Sequence, residues 1–372
     1  MKVICDRAAL VDALNLTAGV ILSRTPKPVL QCVRLQASDG VLALSATDLE
    51  AAIRISVERV DVQTPGEALI PADKLNQIAR ESQDATLAIE VKDDKAVIRG
   101  EDSKFTVFGY PPAEFPALTA TEGVKSDFTL DAGTLRTMIT RTKFATAREN
   151  SRFAINGVLL KRNGKKLEFV ATDSRRLALA KATCRSAAEG TATCIIPSKA
   201  LDLLLKMAGD AEALVSVTLK DSQIVFSFGE EGAQGVLTSS LVEGAFPPYE
   251  DVIPKDLDKK ATFDISVLAS AVRRAAVLTN EESKGVRMNF TKSGVTITSR
   301  APEQGEAEIK VPLEKFDGEG LEIGFNPAFI TDVLKVLDTL EQVTFELKAP
   351  NRAGMIRAGT DFLYILMPVS LA

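Results

Sequence analysis

The sequence predicts an α+β protein built from three tandem copies of one unit. Three observations support this prediction. Four kinds of segment recur along the chain at a step of about 125 residues, short strands accompany two helical segments in each copy, and most predicted strands are joined by hairpin-like turns. Because this period is far longer than that of a solenoid repeat, we predict three domains, over residues 1–124, 125–256 and 257–372.

The first recurring segment is a helix that follows an aspartate. It occurs as "DRAALVDALNLTAGV" (6–20), "DAGTLRTMITRTKFA" (131–145) and "DISVLASAVRRAAVL" (264–278). The side chain of aspartate accepts hydrogen bonds from the free N–H groups of a first helical turn, so each segment predicts a helix start.

The other recurring segments predict strands, turns and a second helix. A strand, a turn with proline or asparagine, and a helix are read in "LIPADKLNQIAR" (69–80), "CIIPSKALDLLLK" (194–206) and "EIGFNPAFITDVLK" (322–335). A hairpin is read in "LALSATDLEAAIRIS" (42–56), in "LEFVATDSRRLALAK" (167–181) and, more weakly, in "VTITSRAPEQGEAEIK" (295–310). "YPPAEFPAL" (110–118) matches "AFPPYEDVIP" (245–254). Alternating apolar residues indicate half-buried strands between these segments.

The composition argues against several classes of enzyme. The chain contains no histidine, which removes serine–histidine and cysteine–histidine catalysis and the common zinc sites, and it has no glycine-rich phosphate loop. We therefore predict no cofactor and no metal. The four scattered cysteines (Cys5, Cys32, Cys184 and Cys194) are expected to be buried thiols in a reducing cytoplasm. We find no signal peptide and no apolar run of the roughly 18 residues that a membrane span needs.

The predicted helices are more basic than the rest of the chain. Six helical windows together carry a net charge of +5, whereas the whole chain carries −5, so the remaining residues carry −10. One interpretation is that lysine and arginine favour solvated helix faces. The other is that the helices line a surface facing a polyanion such as a phosphate backbone, which needs positive charge but no base-reading motif.

Motifs through the whole chain indicate a family. They are "TPKPVL" (25–30), "SATDLE" (45–50), "FPAL" (115–118), "NGVLL" (156–160), "VATDSRRLAL" (170–179), "FPPYEDVIP" (246–254), "NEESKGVRM" (280–288), "PEQGEAE" (302–308), "IGFNPAF" (323–329) and "YILMPVSL" (364–371). With these motifs, the chain resembles the bacterial DNA polymerase III beta subunit family of DNA sliding clamps from end to end.

The resemblance implies a clamp fold and a non-catalytic function. Members form a ring of two head-to-tail chains, in which helices line a central channel for duplex DNA and antiparallel sheets lie outside. The ring tethers the polymerase for processive synthesis, a loader ATPase opens it, and partners dock through short peptides. We therefore expect a homodimer in the cytoplasm that binds DNA without sequence preference and also binds the polymerase III alpha subunit, the clamp loader and other proteins carrying clamp-binding peptides.

The basic helices and the resemblance together predict a DNA-facing surface. Its expected residues are Arg24, Arg136, Arg141, Lys143, Arg148, Arg152, Lys199, Arg273 and Arg274. The charges of the first and third repeats predict complementary ring edges with an apolar centre. The expected interface residues are Lys74, Ile78, Arg99, Lys104, Leu278, Glu303, Glu306 and Glu308. The alternative is that these charges are solvated, with each pair contributing about 0–1 kcal/mol.

The resemblance also implies a peptide pocket, of which the turn after Thr172 and Asp173 forms one wall. Carried over position by position, its residues are Ile155, Thr172, Ser174, Arg175, Arg176, Leu177, Pro247, Val252, Asn326, Phe329, Ile365, Leu366, Met367, Pro368 and Val369. Ser174 and Arg175 replace the Gly and His that are usual in the family, and Asp251 stands where a basic residue is common. The competing interpretation is that Arg175 and Arg176 pair with nearby acids such as Asp173 or Glu168.

Two other functions are compatible with parts of the sequence. A specialised three-repeat scaffold would bind protein peptides without DNA, and retention on circular DNA would distinguish it from a clamp. An enzyme using carboxylates such as Asp48, Glu50 or Asp173 is the second alternative. Recurrence of the Thr-Asp pair in two repeats favours a structural turn over an active site.

Overall fold

Each third of the chain contains the same order of strands and helices. The computed structural model describes residues 1–119, 125–147, 153–279 and 285–370. In the first repeat the elements are β1 (Lys2–Asp6), α1 (Arg7–Thr17), β2 (Cys32–Ser38), β3 (Val41–Thr47), β4 (Ala51–Val57), β5 (Val60–Thr64), β6 (Gly66–Pro71), α2 (Ala72–Glu81), β7 (Thr86–Lys92), β8 (Lys95–Arg99) and β9 (Lys104–Phe108).

The second and third repeats follow the same order. The second contains β10 (Phe128–Asp131), α3 (Ala132–Lys143), β11 (Gly157–Asn163), β12 (Lys166–Thr172), β13 (Arg176–Thr183), β14 (Ser186–Ala187), β15 (Thr191–Pro197), α4 (Ser198–Met207), β16 (Leu214–Lys220), β17 (Gln223–Phe228) and β18 (Gly235–Ser240). The third contains β19 (Lys259–Asp264), α5 (Ile265–Ala275), β20 (Val286–Thr291), β21 (Gly294–Ala301), β22 (Gly305–Val311), β23 (Lys315–Asp317), β24 (Leu321–Phe325), α6 (Pro327–Val336), β25 (Gln342–Leu347), β26 (Gly354–Ala358) and β27 (Phe362–Leu366). The prediction of a threefold α+β repeat is confirmed.

The predicted aspartate caps form at the starts of α1 and α5, and Asp131, before α3, forms an ion pair with Arg185. Asp6 Oδ1 accepts a hydrogen bond from the N–H of Ala9 at 2.9 Å, and Asp264 Oδ1 accepts one from Val267 at 2.9 Å. Both bonds satisfy first-turn donors that have no partner within the helix. The first helix of each repeat ends two or three residues before its sequence segment does, α3 at Lys143 for example, whereas the second helix of each repeat extends one residue past its segment. None of the helices within the described ranges is long and apolar enough to cross a membrane.

The described chain packs into two compact units. The first comprises Met1–Arg136, Cys184–Glu189 and Lys199–Leu241, and the second comprises Thr137–Thr183, Gly190–Ser198 and Val242–Ala372. The first unit contains a five-stranded sheet, β5-β1-β7-β8-β9, and a nine-stranded sheet, β14-β10-β16-β17-β18-β4-β3-β2-β6. The second contains a nine-stranded sheet, β15-β11-β12-β13-β27-β26-β25-β19-β23, and a four-stranded sheet, β22-β21-β20-β24.

Each repeat therefore divides its nine strands into a half-sheet of five and a half-sheet of four. Both nine-stranded sheets join the five-stranded half of one repeat to the four-stranded half of the preceding repeat. The joining pairs are antiparallel: β18 with β4, and β27 with β13. Two half-sheets are not joined to another: the five strands of the first repeat and the four strands of the third. β9 is an edge strand of the first, and β22 is an edge strand of the second.

Aromatic packing fills the interior of the third repeat. Phe263 of β19 lies 5.4 Å from Phe345 of β25 and 6.3 Å from Phe290 of β20, measured between ring centroids, and both pairs are edge-to-face. All three side chains are almost fully buried. Such pairs stabilise a core by more than their buried area alone. They also hold the two half-sheets of this repeat against each other.

Candidate peptide pocket, basic helices and open edges

The turn between β12 and β13 is built by side chains that bind their own backbone. Thr172 Oγ1 donates to the carbonyl of Arg176 at 2.6 Å, and Asp173 Oδ1 accepts from the N–H groups of Arg175 and Arg176 at 3.0 Å each. Ser174 consequently takes a left-handed conformation, with φ at 73°. Asparagine and aspartate favour this type of turn because they replace backbone hydrogen bonds.

The first repeat contains the same turn between β3 and β4. Thr47 Oγ1 donates to Ala51 O at 2.9 Å, Asp48 Oδ1 accepts from the N–H groups of Glu50 and Ala51, and Leu49 has φ at 79°. Both aspartates thus cap backbone groups, which favours the structural interpretation of the Thr-Asp pairs over a catalytic one. Ala51 stands where the second repeat has Arg176, so only the second repeat adds a guanidinium.

The guanidinium of Arg176 is buried beneath this turn. Nε donates to Asp173 Oδ2 at 2.9 Å, Nη1 donates to Asp332 Oδ2 at 2.6 Å, and Nη2 donates to Phe144 O at 2.8 Å. Its central carbon lies 4.4 Å from the ring centroid of Phe329, and only 10% of the side chain is exposed. Of the two arginines, Arg176 therefore forms the ion pairs that the competing interpretation expected.

The charge of Arg176 is held firmly in place. Burial opposes the charged guanidinium, but Tyr364 and the hydrogen bond to Asp332 outweigh it and keep the pKa of Arg176 above its ordinary value. Tyr364 is itself anchored, because its hydroxyl donates to the carbonyl of Phe329 at 3.1 Å. Asp332 was missed by sequence reasoning, since it lies 156 residues from Arg176 and belongs to α6 of the next repeat.

An apolar cluster covers one face of the nine-stranded sheet beside this turn. The buried members are Ala154, Leu159, Val170, Leu177, Leu179, Ile195, Tyr249, Met355, Leu363 and Ile365. The segment around Phe246 and Ile253 packs against them. Two apolar side chains next to this cluster in the chain are exposed to solvent: Val252 by 53% and Met367 by 48%. The result is a surface with a rigid apolar base and two accessible hydrophobic side chains.

The chain beyond β27 is fixed on the same side by main-chain hydrogen bonds. The N–H of Met367 donates to the carbonyl of Arg175 at 2.9 Å, and that of Val369 donates to Gly324 at 2.9 Å. The Thr-Asp turn and the C-terminal segment are therefore neighbours. Tyr249 is also anchored to this sheet, because its hydroxyl donates to Glu168 of β12 at 3.2 Å.

The predicted pocket residues all belong to the second unit and differ in accessibility. Five are buried, namely Ile155, Thr172, Leu177, Ile365 and Leu366. Six are partly exposed, namely Arg176, Pro247, Asn326, Phe329, Pro368 and Val369. Ser174, Arg175, Val252 and Met367 are exposed. The Asn326 side chain also stabilises the start of α6, because its Oδ1 accepts a hydrogen bond from the N–H of Ala328 at 2.9 Å.

The corresponding sheet face in the first unit is more polar, with an apolar cluster of Cys32, Leu69 and Phe115 at one end. Strand register aligns Arg34, Ser45, Arg54 and Thr238 with Leu159, Val170, Leu179 and Ile365, respectively. Nη2 of Arg34 donates to both carboxylate oxygens of Glu67, at 2.8 and 2.9 Å. At these four positions the face therefore lacks the apolar base that the second unit has.

The predicted basic surface lies mostly on helices. α3 carries a net charge of +3, α5 carries +2, α4 carries +1, and the other three helices are neutral. Arg24, Arg136, Arg273 and Arg274 are exposed. Arg141 and Lys143 are partly exposed, with the Arg141 guanidinium 5.9 Å from the Phe362 ring centroid. Lys199 is paired with the buried carboxylate of Asp48, which compensates its charge. Arg148 and Arg152 lie outside the described residues.

The two edge strands differ in chemistry. β9 exposes Phe105 by 40% and Phe108 by 68%, next to Lys104. Together with α2 these phenylalanines line a groove of about 570 Å³ that includes Lys74 and Ile78. Across the other edge, β22 exposes Glu306 and Glu308, Glu303 lies in the preceding turn, and Leu278 is partly exposed. Arg99 ends β8, adjacent to β9. Sequence reasoning missed Phe105 and Phe108, although "KFTVF" does show alternating apolar residues.

Three repeats divided into half-sheets of five and four strands, with an apolar cluster on one of the joined sheets, define a three-domain clamp. Residues 1–119, 129–248 and 250–370 match the N-terminal, central and C-terminal domains of the DNA polymerase III beta subunit, respectively. The chain belongs to the DNA polymerase III beta subunit family. This confirms the resemblance drawn from the sequence motifs.

Individual relatives match over their full length. The beta sliding clamp of Pseudomonas aeruginosa is 36% identical over 370 residues, covering 98% of this chain and 99% of that protein. The beta sliding clamp of Escherichia coli K12 is 32% identical over 374 residues, covering 100% of both. Among solved structures, the P. aeruginosa clamp bound to griselimycin has a TM-score of 0.92 at 33% identity, and the Bacillus subtilis clamp has 0.92 at 26% identity, each covering 100% of both chains.

Proposed function

We propose that this protein is a DNA sliding clamp that closes as a ring of two chains around duplex DNA. The observation that carries the proposal is the pair of unmatched half-sheets. Two nine-stranded sheets form within the chain by joining a five-stranded half to a four-stranded half, and β9 and β22 border the halves that remain. Pairing β9 of one chain with β22 of the next would complete the same sheet between copies and cover both edges.

The chemistry of the edges supports this pairing. β9 offers phenylalanines and a lysine, with Lys74, Ile78 and Arg99 nearby, whereas the β22 edge offers Glu303, Glu306 and Glu308, with Leu278 nearby. Opposite charges favour association, and apolar contact stabilises the interface where salt screens those charges. A second copy of this chain therefore fits the open edge.

The basic helices would face the DNA in the closed ring. The proposed phosphate-facing residues are Arg24, Arg136, Arg141, Lys143, Arg148, Arg152, Lys199, Arg273 and Arg274. Lys199 should contribute least, because Asp48 already compensates its charge. Such residues would contact phosphates and not base edges, so binding would not depend on the DNA sequence, as sliding requires. We assign no catalytic step or cofactor to the protein, since its function is to tether a polymerase in the cytoplasm. The proposed domains remain 1–124, 125–256 and 257–372.

The apolar pocket is the proposed docking site for the alpha subunit of the polymerase, the clamp loader and other proteins with short linear peptides. Met367 and Val252 present the accessible apolar surface, while Leu177 and Ile365 form its buried base. A buried leucine or phenylalanine anchor contributes roughly 1.5–3 kcal/mol.

Retention on closed DNA tests the clamp proposal. The protein, loaded onto nicked circular DNA, should remain bound during gel filtration and should be released when the circle is linearised. Arg136→Glu with Arg141→Glu should weaken retention and reduce its salt dependence, while circular dichroism stays unchanged. Equal retention on linear and circular DNA contradicts topological binding. Peptide binding without any DNA retention favours the scaffold alternative.

A further inference from the structure

Two segments beside the apolar cluster, the Thr-Asp turn and Tyr249–Val252, each carry a charge that is not compensated within the described residues. On the turn, Arg176 is engaged by Asp173 and Asp332, but Arg175 is exposed and its guanidinium makes no ion pair or hydrogen bond among the described residues. Its backbone is nonetheless fixed, since the carbonyl accepts from Met367 N–H at 2.9 Å. Arg175 therefore presents a free cation beside the exposed Met367.

The segment Tyr249–Val252, which follows Phe246 and precedes Ile253 at the same cluster, presents a free anion. Glu250 is neutralised by Lys161 at 2.8 Å, and that hydrogen bond lowers the pKa of Glu250. Its neighbour Asp251 is exposed and has no such partner in the described part of the chain. Asp251 directly precedes Val252, the second exposed apolar side chain of the pocket.

Resting on the proposed docking function, we propose that the pocket selects a dipolar peptide: an apolar anchor flanked by an acidic residue next to Arg175 and a basic residue next to Asp251. The anchor packs on Met367 and Val252, which lie next to the cation and the anion, respectively. At physiological salt the Debye length is about 8 Å, so each free charge acts mainly on the peptide residue nearest to it. Like charges at either position disfavour binding, which gives specificity beyond the apolar contact.

Fluorescence anisotropy with three labelled peptides tests this inference. They share a Leu-Leu anchor and one length, and their flanking residues are Asp before and Lys after, Lys before and Asp after, or Asn before and Gln after. Exposed ion pairs change affinity by about two- to fivefold each. One charged order should therefore bind more tightly than the neutral peptide, and the reversed order more weakly.

Charge reversal identifies the residues responsible. Arg175→Glu and Asp251→Lys should each reduce the preference between the two charged orders, and the double variant should invert it. Arg175→Gln and Asp251→Asn provide the same test without a new charge, should a reversal variant fail to fold. Lys166→Glu is the matched control, because Lys166 is exposed at the far end of β12 and should leave the preference unchanged.

The outcomes separate this inference from the docking proposal. If wild-type protein binds all three peptides equally, or if the double variant keeps the original preference, the dipolar selection is wrong while the pocket stands. If folded wild-type protein binds none of several apolar peptides, including those with phenylalanine anchors, the docking site itself is wrong. Inversion in the double variant, with Lys166→Glu unchanged, supports the inference.

Discussion

If the proposed ring closes through β9, replacing both exposed phenylalanines of this strand should convert the protein into monomers. Phe105 is 40% exposed and Phe108 is 68% exposed in the single chain. A phenylalanine buries on the order of 200 Å² when covered, so these side chains expose about 80 and about 140 Å². At about 25 cal/mol per Å², covering them contributes at most about 5.5 kcal/mol per junction.

Only part of that contribution should appear as affinity. Alanine retains some apolar area, and association carries entropic and desolvation costs, so we expect Phe105→Ala with Phe108→Ala to weaken each junction by about 3 kcal/mol. A ring of two chains has two junctions, which gives about 6 kcal/mol, or a factor of about 10⁴ in the dissociation constant.

Light scattering and sedimentation over nanomolar to micromolar concentrations measure this directly. The wild type should have the mass of two chains where the double variant has the mass of one, with unchanged circular dichroism. Phe153→Ala is the control, because Phe153 is also 43% exposed but does not belong to β9. A double variant whose dissociation midpoint equals that of the wild type would refute the assignment of β9 to the interface.

Further predictions concern the basic helices, the turn and the thiols. Arg273→Glu with Arg274→Glu should lower retention on circular DNA and flatten its salt dependence, without changing the solution mass. Ser174→Gly should raise the free energy of unfolding by about 0.5–1 kcal/mol, because glycine accepts φ at 73° without strain; urea titration checks this. Asp332→Asn should lower that free energy by about 1 kcal/mol, since Asp332 is partly exposed and screened, and an unchanged urea midpoint would contradict this. Burial raises the pKa of the Cys5 thiol to about 12, so at pH 8 iodoacetamide should label Cys5 only when denaturant unfolds the protein; mass spectrometry of peptides checks this.

Local sequence signals were sufficient to predict the repeats but not how the repeats combine. Asp6 and Asp264 begin helices as predicted, because capping depends on residues within one turn. The joining of five- and four-stranded halves into one sheet depends on pairs such as Leu177 with Ile365, which are far apart in the chain and leave no local pattern. Short strands such as β14 were missed for the same reason.

The adjacent residues Arg175 and Arg176 show the same limit within the site. The sequence "TDSRRLAL" predicts a turn followed by a strand, and the side-chain hydrogen bonds of Thr172 and Asp173 bear this out. It does not reveal that the side chains of the two adjacent arginines differ in burial and in ion pairing. Arg176 is buried by Asp332 and Phe329 from a distant helix, whereas Arg175 remains exposed.

The partition of the sheets also determines which junction responds to dilution. β4 and β18, and likewise β13 and β27, belong to one polypeptide, so their effective concentration is set by chain connectivity and does not change when the protein is diluted. β9 and β22 of different copies meet only at the concentration of the protein itself. In the proposed ring, dilution would therefore open this junction while the two junctions inside each chain remain paired.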